Sequence, residues 1–197
     1  MTSVISDQAL DQLFRQARSQ NAWHDKPVTD DQLEAIYDLM KMGPTSANCS
    51  PMRLVFVRTP AAKEKLAPLM IETNQDKVRQ APVTAIIAYD TKFYDRIPEL
   101  FPHNPGARDW FAHVPELAAM TAIRNSTLQG AYFMIAARAL GLDVGPLSGF
   151  DEEGVNNQFF SDGAFKTNFI CCLGHGDETA VFERSPRLAF LDACQLV

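Results

Sequence analysis

The feature that most constrains the fold is a long helical pattern at residues 121–140, whose second half is apolar on most sides. A helix on a protein surface needs only one apolar stripe, so a helix that is apolar around most of its circumference has to be buried. Gly141 follows as the expected C-terminal stop. The sequence therefore predicts a fold assembled around this central helix.

The other elements are short and mixed along the chain. Residues 83–89 form a near-continuous apolar run, which predicts a strand buried on both faces, and β-rich runs at 53–58 and 167–173 predict further strands. Thr59 and Pro60 mark the start of a helix as N-cap and first helical residue. Helices mixed with about four well-separated strands indicate an α+β fold. Amphipathic helical patterns also occur at 6–20 and 30–42, and a tight loop is predicted at 145–149.

Residues 91–116 differ from the rest of the chain because they combine aromatic side chains with several prolines. A long, turn-rich segment inside a compact domain is typical of a lid or a binding loop. We therefore expect this segment to cover a substrate pocket.

Composition excludes several classes of function. The formal net charge of −6 argues against nucleic acid as the main partner, because such binding usually needs a basic face. No apolar run is long enough to span a membrane, and the first thirty residues lack the pattern of a secretory signal. The four cysteines form no CxxC pair, which fits a reducing cytoplasm. We expect one soluble, cytoplasmic domain at 1–197, in which any anion site must concentrate a few cations locally.

Familiar catalytic motifs are missing from the sequence. It contains no GxxxxGK[ST], no GxGxxG after a strand, no HExxH and no GxSxG, and its four histidines have no metal-ligand spacing. We therefore expect no metal site. The sequence therefore has no dinucleotide-binding motif that would identify a redox cofactor.

Four short segments together carry a more specific signal. They are Arg-Ser-Gln-Asn-Ala-Trp at 18–23, Gly-Pro-Thr-Ser-Ala-Asn-Cys-Ser-Pro at 43–51, Asn-Gln-Asp-Lys at 74–77, and Gly-Pro-Leu-Ser-Gly at 145–149 combined with Arg-Ser-Pro-Arg at 184–187. Taken together, they resemble the FMN-dependent nitroreductase family over nearly the whole chain. Residues 43–51, 124–126 and 145–151 look closer still to the malonic semialdehyde reductases of pyrimidine breakdown.

The resemblance implies a fold, an assembly and a reaction. The fold is a central, mostly antiparallel sheet flanked by helices, in an intertwined homodimer with two FMN sites at its interface. NADPH or NADH would reduce FMN, and a second substrate, such as malonic semialdehyde, would then be reduced in the same pocket by a ping-pong sequence. No side chain need act as acid or base in the hydride step, so no catalytic residue is predicted.

For the phosphate of FMN, the resemblance implies contacts from Arg18, Ser19 and Arg187. A phosphate dianion needs charge-assisted donors, and the arginine fork supplies them well. The family often has a second basic residue where this chain has Asn21, so Asn21 would contribute a hydrogen bond and Arg184 could supply the charge.

The flavin ring would be contacted by the remaining segments. Asn74 and Lys77 match family positions at the polar edge of the ring, where a fixed ammonium stabilises the negative charge of the reduced flavin. The backbone N–H of Ser148 matches a donor directed at flavin N5. The other expected contacts are Pro44, Thr45, Ser46 and Asn48, from the partner subunit's side of the site, and Pro146, Leu147 and Gly149.

An acidic substrate would also need a cation and a surface that excludes water. Arg124, at the start of the long helix, and Arg108, in the aromatic segment, are the two candidates for binding a carboxylate. Trp110 and Phe111 would exclude water and stack on flat substrates when the segment closes over the flavin.

Three alternatives stay open at this point. The chain could be a general nitroaromatic or quinone reductase of the same fold. It could be a flavin-binding module without a reaction. From a different class, it could be a cysteine hydrolase that uses Cys49 and one of the histidines.

Overall fold

The computed structural model describes residues 3–197, and its centre is a four-stranded antiparallel sheet of order β1-β2-β4-β3. The single domain is predicted to span residues 1–197, of which residues 1–2 lie outside the described part of the chain. β2 and β4 occupy the middle of the sheet, and the burial of β2 on both faces confirms the prediction from the apolar run at 83–89. The strands are β1 Met52–Val57, β2 Val83–Asp90, β3 Asp143–Leu147 and β4 Phe165–Gly174.

Helices cover both faces of this sheet. Ile86 and Ile87 in β2, like Cys171 and Cys172 in β4, are successive residues that lie in different hydrophobic clusters, because neighbouring strand residues point to opposite faces. The expected α+β fold with a helix-flanked antiparallel sheet is confirmed. The helices are α1 Asp7–Leu10, α2 Asp30–Met40, α3 Pro60–Leu66, α4 Glu72–Gln80, α5 Ile97–Leu100, α6 Asp109–Ala112, α7 Pro115–Ala139, α8 Glu152–Phe159 and α9 Phe190–Ala193.

The first helix ends earlier than the pattern at 6–20 predicts. α1 continues through one π-helical turn, Asp11–Arg15, and then stops. Ser19 forms a parallel bridge with Val144, and the Gln20 N–H donates to the Val144 carbonyl at 3.0 Å. The chain leaves the helix because its backbone groups pair with the outer edge of β3.

α7 is the predicted central helix, but it begins at Pro115, inside the segment expected to be a loop. Its second half is buried as predicted, with Phe133 and Ala137 fully inside the core beside β2. Before residue 131 it buries polar residues, including Asn125 and Gln129, and exposes apolar ones instead. We call the exposed residues Met120, Ile123, Arg124, Thr127 and Leu128 the outer face of α7.

The aromatic segment is folded into short helical turns rather than a loop, and its role as a cover over a substrate pocket stays a prediction. Besides α5 and α6 it contains two 3-10 helices, Phe93–Arg96 and Pro105–Arg108. Phe93, Ile97 and Phe111 are buried in a third hydrophobic cluster with Cys49. The prolines that suggested a loop separate short helical turns whose apolar side chains share one small core.

The Gly-Pro-rich stretch predicted as a tight loop at 145–149 is mostly strand. Gly145, Pro146 and Leu147 belong to β3 and pair with β4. The prediction was wrong because β3 is an edge strand, where a proline is tolerated. Gly145 has a separate reason to be glycine, since a Cβ atom there would lie 2.5 Å from the Gln20 carbonyl oxygen.

Within residues 3–197, no helix combines the length and the apolarity needed to cross a lipid bilayer.

The close approach at Gly145 gives a testable prediction. In Gly145→Ala the new methyl group meets backbone, which cannot rotate away, so the free energy of unfolding should fall by about 1–3 kcal/mol. Urea unfolding followed by circular dichroism measures this change. Gly106→Ala is the matched control, because its Cβ would meet nothing closer than 3.7 Å. Equal losses in both variants would contradict the proposed packing of residues 19–20 on β3.

Candidate functional site

A cavity of about 360 Å³ brings together the predicted phosphate residues from both ends of the chain. Arg18, Ser19 and Asn21 enter from the segment that bridges to β3, and Arg184 and Arg187 enter from the C-terminal segment. Arg138, near the end of α7, also lines the cavity and was not predicted. We call this space the arginine cavity.

Backbone carbonyl groups hold the arginines in place. Arg184 donates to the Ala17 carbonyl at 3.0 Å, and Arg138 donates to the Leu13 carbonyl at 3.1 Å. Arg18 donates to the Phe182 carbonyl, which joins the N-terminal and C-terminal segments. Arg187 donates to the Ser185 carbonyl at 2.9 Å, and the Asn21 amide donates to the Ala180 carbonyl at 3.4 Å.

The four arginines of the arginine cavity form no ion pair with a described carboxylate. Glu183 lines the cavity, yet no acid within the described residues lies within 4.0 Å of its four arginines. Six other arginines do have an acid within 4.0 Å. Among the described residues outside the cavity, Arg124 is then the only arginine without an acid partner. The six paired arginines are Arg15, Arg53, Arg58, Arg79, Arg96 and Arg108.

Arg138 shows most directly how burial and a neighbouring cation disfavour the charged state of an arginine in this cavity. Burial lowers the pKa of its guanidinium, the charge of Arg184 lowers that pKa further, and Asp143 opposes both effects. A partly buried cation beside another cation is stabilised when an anion binds between them. The cavity therefore has the chemistry of a site for a phosphate-sized dianion. The signal that could have revealed Arg138 is its position as the single charged residue in the apolar run at 131–140.

The structure also joins two of the predicted flavin-contacting segments. The Asn74 amide donates to the Gly149 carbonyl at 3.3 Å, and the Ile71 N–H donates to the same carbonyl at 3.1 Å. Lys77 follows one turn later on α4, half-buried, with no acid within 4.0 Å among the described residues. Ser148 and Pro146 are exposed beside them, and Leu147 is buried.

β3 connects this region to the arginine cavity. Val144 lies beside Ser19 at the cavity. Gly149, which follows Val144 by five residues, lies beside Asn74. At about 3.4 Å per residue, the two ends are roughly 17 Å apart. We call this stretch, from Ser19 and Val144 along β3 to Gly149 and Asn74, the β3 strip.

The segment from Pro44 to Ser50, here called loop 44–50, lies elsewhere. It leads into β1, and β1 and β3 are the opposite edges of the sheet. Three strand spacings of about 4.8 Å place the two edges roughly 14 Å apart, with β2 and β4 between them. Within one chain, the structure therefore does not bring Thr45, Ser46 and Asn48 to the β3 strip.

Loop 44–50 has an unusual backbone. Ala47, Asn48 and Ser50 have φ values of 49°, 48° and 37°, in the left-handed region that favours glycine. Each such residue costs about 1 kcal/mol or more, so surrounding contacts must maintain the conformation. One of these is the hydrogen bond from the Asn48 amide to the Leu100 carbonyl at 2.7 Å.

The predicted substrate residues fall into two groups. Arg108 forms ion pairs with Asp95 at 2.7 Å and Asp109 at 3.4 Å, and Phe111 is only 6% exposed, with its ring 5.2 Å from that of Phe93. These contacts argue against carboxylate binding by Arg108 and against substrate stacking by Phe111. Trp110 and Arg124 are exposed and remain candidates.

Cys49 lacks the properties of a nucleophile. It is 1% exposed, and burial raises the pKa of its thiol to about 11, although a hydrogen bond with Thr45 partly opposes this shift. A thiol with that pKa is almost entirely protonated at neutral pH, and the thiolate is the reactive form. The structure therefore argues against a cysteine hydrolase.

Known proteins resemble this chain in sequence and in fold. Over 100% of both chains it is 58% identical to "Putative NADH dehydrogenase/NAD(P)H nitroreductase HadB" of Ralstonia pickettii. It is 54% identical to a similarly named protein of Cupriavidus pinatubonensis, over 97% of this chain and 98% of the other. A "putative nitroreductase in complex with FMN" from Exiguobacterium sibiricum has the same fold, with a TM-score of 0.87 over 100% of both chains at 18% identity.

The helix-flanked antiparallel sheet is therefore a nitroreductase fold. Residues 14–175, which include all four strands, match the family model described as "Nitroreductase family". With this match and relatives above 50% identity over the full length, the chain belongs to the nitroreductase family.

Proposed function

We propose that the protein is an FMN-dependent NAD(P)H oxidoreductase. The observation that carries this proposal is the arginine cavity, where a chain of net charge −6 collects four arginines that have no acid partner within the described residues. The β3 strip leads from this cavity to Asn74 and Gly149. The names of the curated relatives and the FMN complex of the solved neighbour agree with this assignment.

Each part of the site has a distinct task in the proposal. Arg18, Arg138, Arg184 and Arg187 bind the phosphate through charge-assisted hydrogen bonds, and Ser19 adds a polar contact. Asn74 and Lys77 bind the polar edge of the flavin ring, and the Lys77 ammonium favours the reduced, negatively charged state. When bound, FMN supplies two-electron hydride chemistry between NAD(P)H and a second substrate.

The proposal includes a homodimer with sites shared between subunits. Loop 44–50 and the β3 strip lie at opposite edges of the sheet, so a site that contains both needs two chains. The outer face of α7 supports this assembly, because Met120, Ile123 and Leu128 are 42–48% exposed on a helix whose inner side buries polar residues. An exposed apolar patch of this kind is typical of a protein interface.

The C-terminal segment extends the proposed interface. Phe182, Leu188 and Leu191 are at least 75% exposed. A groove of about 1090 Å³ lies between α2 and the free edge of β1, where Leu33, Leu54 and Phe56 are among its lining residues. Exchange of C-terminal segments between subunits would cover these side chains and place apolar residues in each groove.

For the substrate, we propose malonic semialdehyde, which would be reduced to 3-hydroxypropionate. The support is the likeness of segments 43–51, 124–126 and 145–151 to that subgroup, together with the free charge of Arg124. Arg124 lies on the exposed outer face of α7, one residue before Asn125, whose side chain accepts the Ser46 N–H of loop 44–50. General reduction of nitroaromatics or quinones remains the second candidate. We also propose a cytoplasmic location, because none of the four cysteines forms a disulfide.

The phosphate assignment gives the first prediction. Arg18→Ala and Arg187→Ala should each weaken FMN binding about tenfold or more, because each removes a charge-assisted hydrogen bond of about 1.5–3 kcal/mol. Fluorescence titration of the apoprotein with FMN measures the dissociation constant. Arg15→Ala is the matched control, since Arg15 carries the same charge nearby but is paired with Asp7 at 2.8 Å. If Arg15→Ala weakens FMN as strongly, the attraction is general and the phosphate site is misplaced.

The shared site gives the second prediction. The protein should sediment as a dimer with about one FMN per chain, and Ile123→Arg should yield monomers that lose FMN, because a charge in an apolar interface is costly. Sedimentation velocity at the flavin and protein wavelengths measures both properties. Val4→Arg changes another exposed apolar residue, outside α7, and should leave the dimer intact. Monomers that keep a full complement of FMN would show that one chain contains the whole site.

The substrate assignment gives the third prediction. Arg124→Ala should raise the KM for malonic semialdehyde about tenfold and leave the KM for a neutral quinone unchanged, because only the acid needs the cation. Steady-state turnover with NADPH and NADH measures this, and Arg124→Lys should retain most of the affinity. An equal rise in KM for both substrates would mean that the anion site lies elsewhere. A flavin that stays oxidised after anaerobic mixing with either nucleotide would instead indicate a binding module without this reaction.

A further inference from the structure

Loop 44–50 is maintained by three side chains on one face of α7. Asn125, Gln129 and Tyr132 are spaced four and three residues apart, so they lie in one row along the helix. Asn125 and Gln129 are 2% and 4% exposed, although both are polar. Buried polar side chains need partners, and these find them in the backbone of loop 44–50 and its exit into β1.

The three contacts fix the beginning, the middle and the end of the segment. The Tyr132 hydroxyl donates to the Pro44 carbonyl at 3.0 Å. The Ser46 N–H donates to Asn125 Oδ1 at 2.8 Å. The Met52 N–H donates to Gln129 Oε1 at 2.9 Å. Together they hold the backbone on both sides of the left-handed residues.

Two further contacts make this row of side chains rigid. The Asn125 Nδ2 donates to the Thr121 carbonyl at 2.8 Å, which turns Oδ1 towards Ser46. The Tyr132 ring lies so close to Gly43 that a Cβ atom there would be 2.2 Å from a ring carbon. Asn125 and Tyr132 are therefore each held by a second contact besides the one with loop 44–50.

We propose that Asn125, Gln129 and Tyr132 are positioning residues that hold the strained loop 44–50 in the shape that contacts the flavin of the partner subunit. This inference rests on the proposed function, in which loop 44–50 completes a site shared across the dimer. The left-handed residues would otherwise relax, because an unfavourable backbone persists only where its surroundings enforce it. The inner side of α7 thus determines the geometry at one wall of the site without touching the cofactor.

Hydrogen–deuterium exchange of the FMN-loaded protein tests the contact directly. Asn125→Ala removes the acceptor of the Ser46 N–H, so exchange in the peptide covering 44–52 should become about tenfold faster. Tyr132→Phe keeps the ring against Gly43 and removes only the hydroxyl, so its effect should be smaller, about threefold. Asn168→Ala is the matched control, because Asn168 also bonds α7, through Ser126 and Thr127, but not loop 44–50.

A second measurement separates positioning from simple stabilisation. In Asn125→Ala and Tyr132→Phe the visible flavin absorption band should shift and FMN should bind about threefold to tenfold more weakly, whereas Asn168→Ala should change only the Tm. Faster exchange with an unchanged flavin spectrum and affinity would overturn the proposal, since the row would then support the fold alone. If Asn125→Ala does not fold, Tyr132→Phe decides the question. A wild-type protein that binds no FMN would instead refute the proposed function.

Discussion

Burial of the sheet's two central strands on both faces is the constraint on which the rest of the structure depends. β2 and β4 contribute side chains to one cluster beneath α2 and α7 and to another beneath α3, α4 and α8. Their backbone groups are consumed by pairing with each other and with the outer strands. Free backbone and polar side chains therefore occur at the sheet's edges and ends, and the candidate site is built there.

The distribution of charge follows the same division between interior and edge. Six arginines are paired with acids, and the pairs that are exposed contribute little to stability. The four arginines of the arginine cavity are instead bonded to backbone carbonyls, which orient the guanidinium groups without neutralising them. An acidic protein can in this way keep a strongly cationic site for one ligand, because the carbonyls position the cations and leave their charge available.

Local signals in the sequence predicted much of the fold and part of the site. The apolar run at 83–89 identified β2, and Thr59, whose side chain accepts the Ala62 N–H, identified the start of α3. The tight loop predicted at 145–149 was wrong because whether a Gly-Pro pair turns or extends depends on a neighbouring strand, here β4. Arg138 was missed because its partners in the arginine cavity are more than 40 residues away along the chain. The small core around Phe93 and Phe111 was missed for a different reason, because aromatic composition alone does not reveal which side chains pack together.

The two outer strands differ in a way that bears on the life of a newly made chain. β3 is protected against unwanted pairing, because Pro146 removes a donor and Ser19 occupies part of its outer edge. β1, with the sequence Met-Arg-Leu-Val-Phe-Val, has high β-propensity, no proline, and no strand on its outer side within residues 3–197. A chain that has folded but has not yet been covered along β1 carries an aggregation-prone edge. Solubility during synthesis then depends on how quickly that edge is covered, which makes chain concentration and growth temperature direct controls on the yield of native protein.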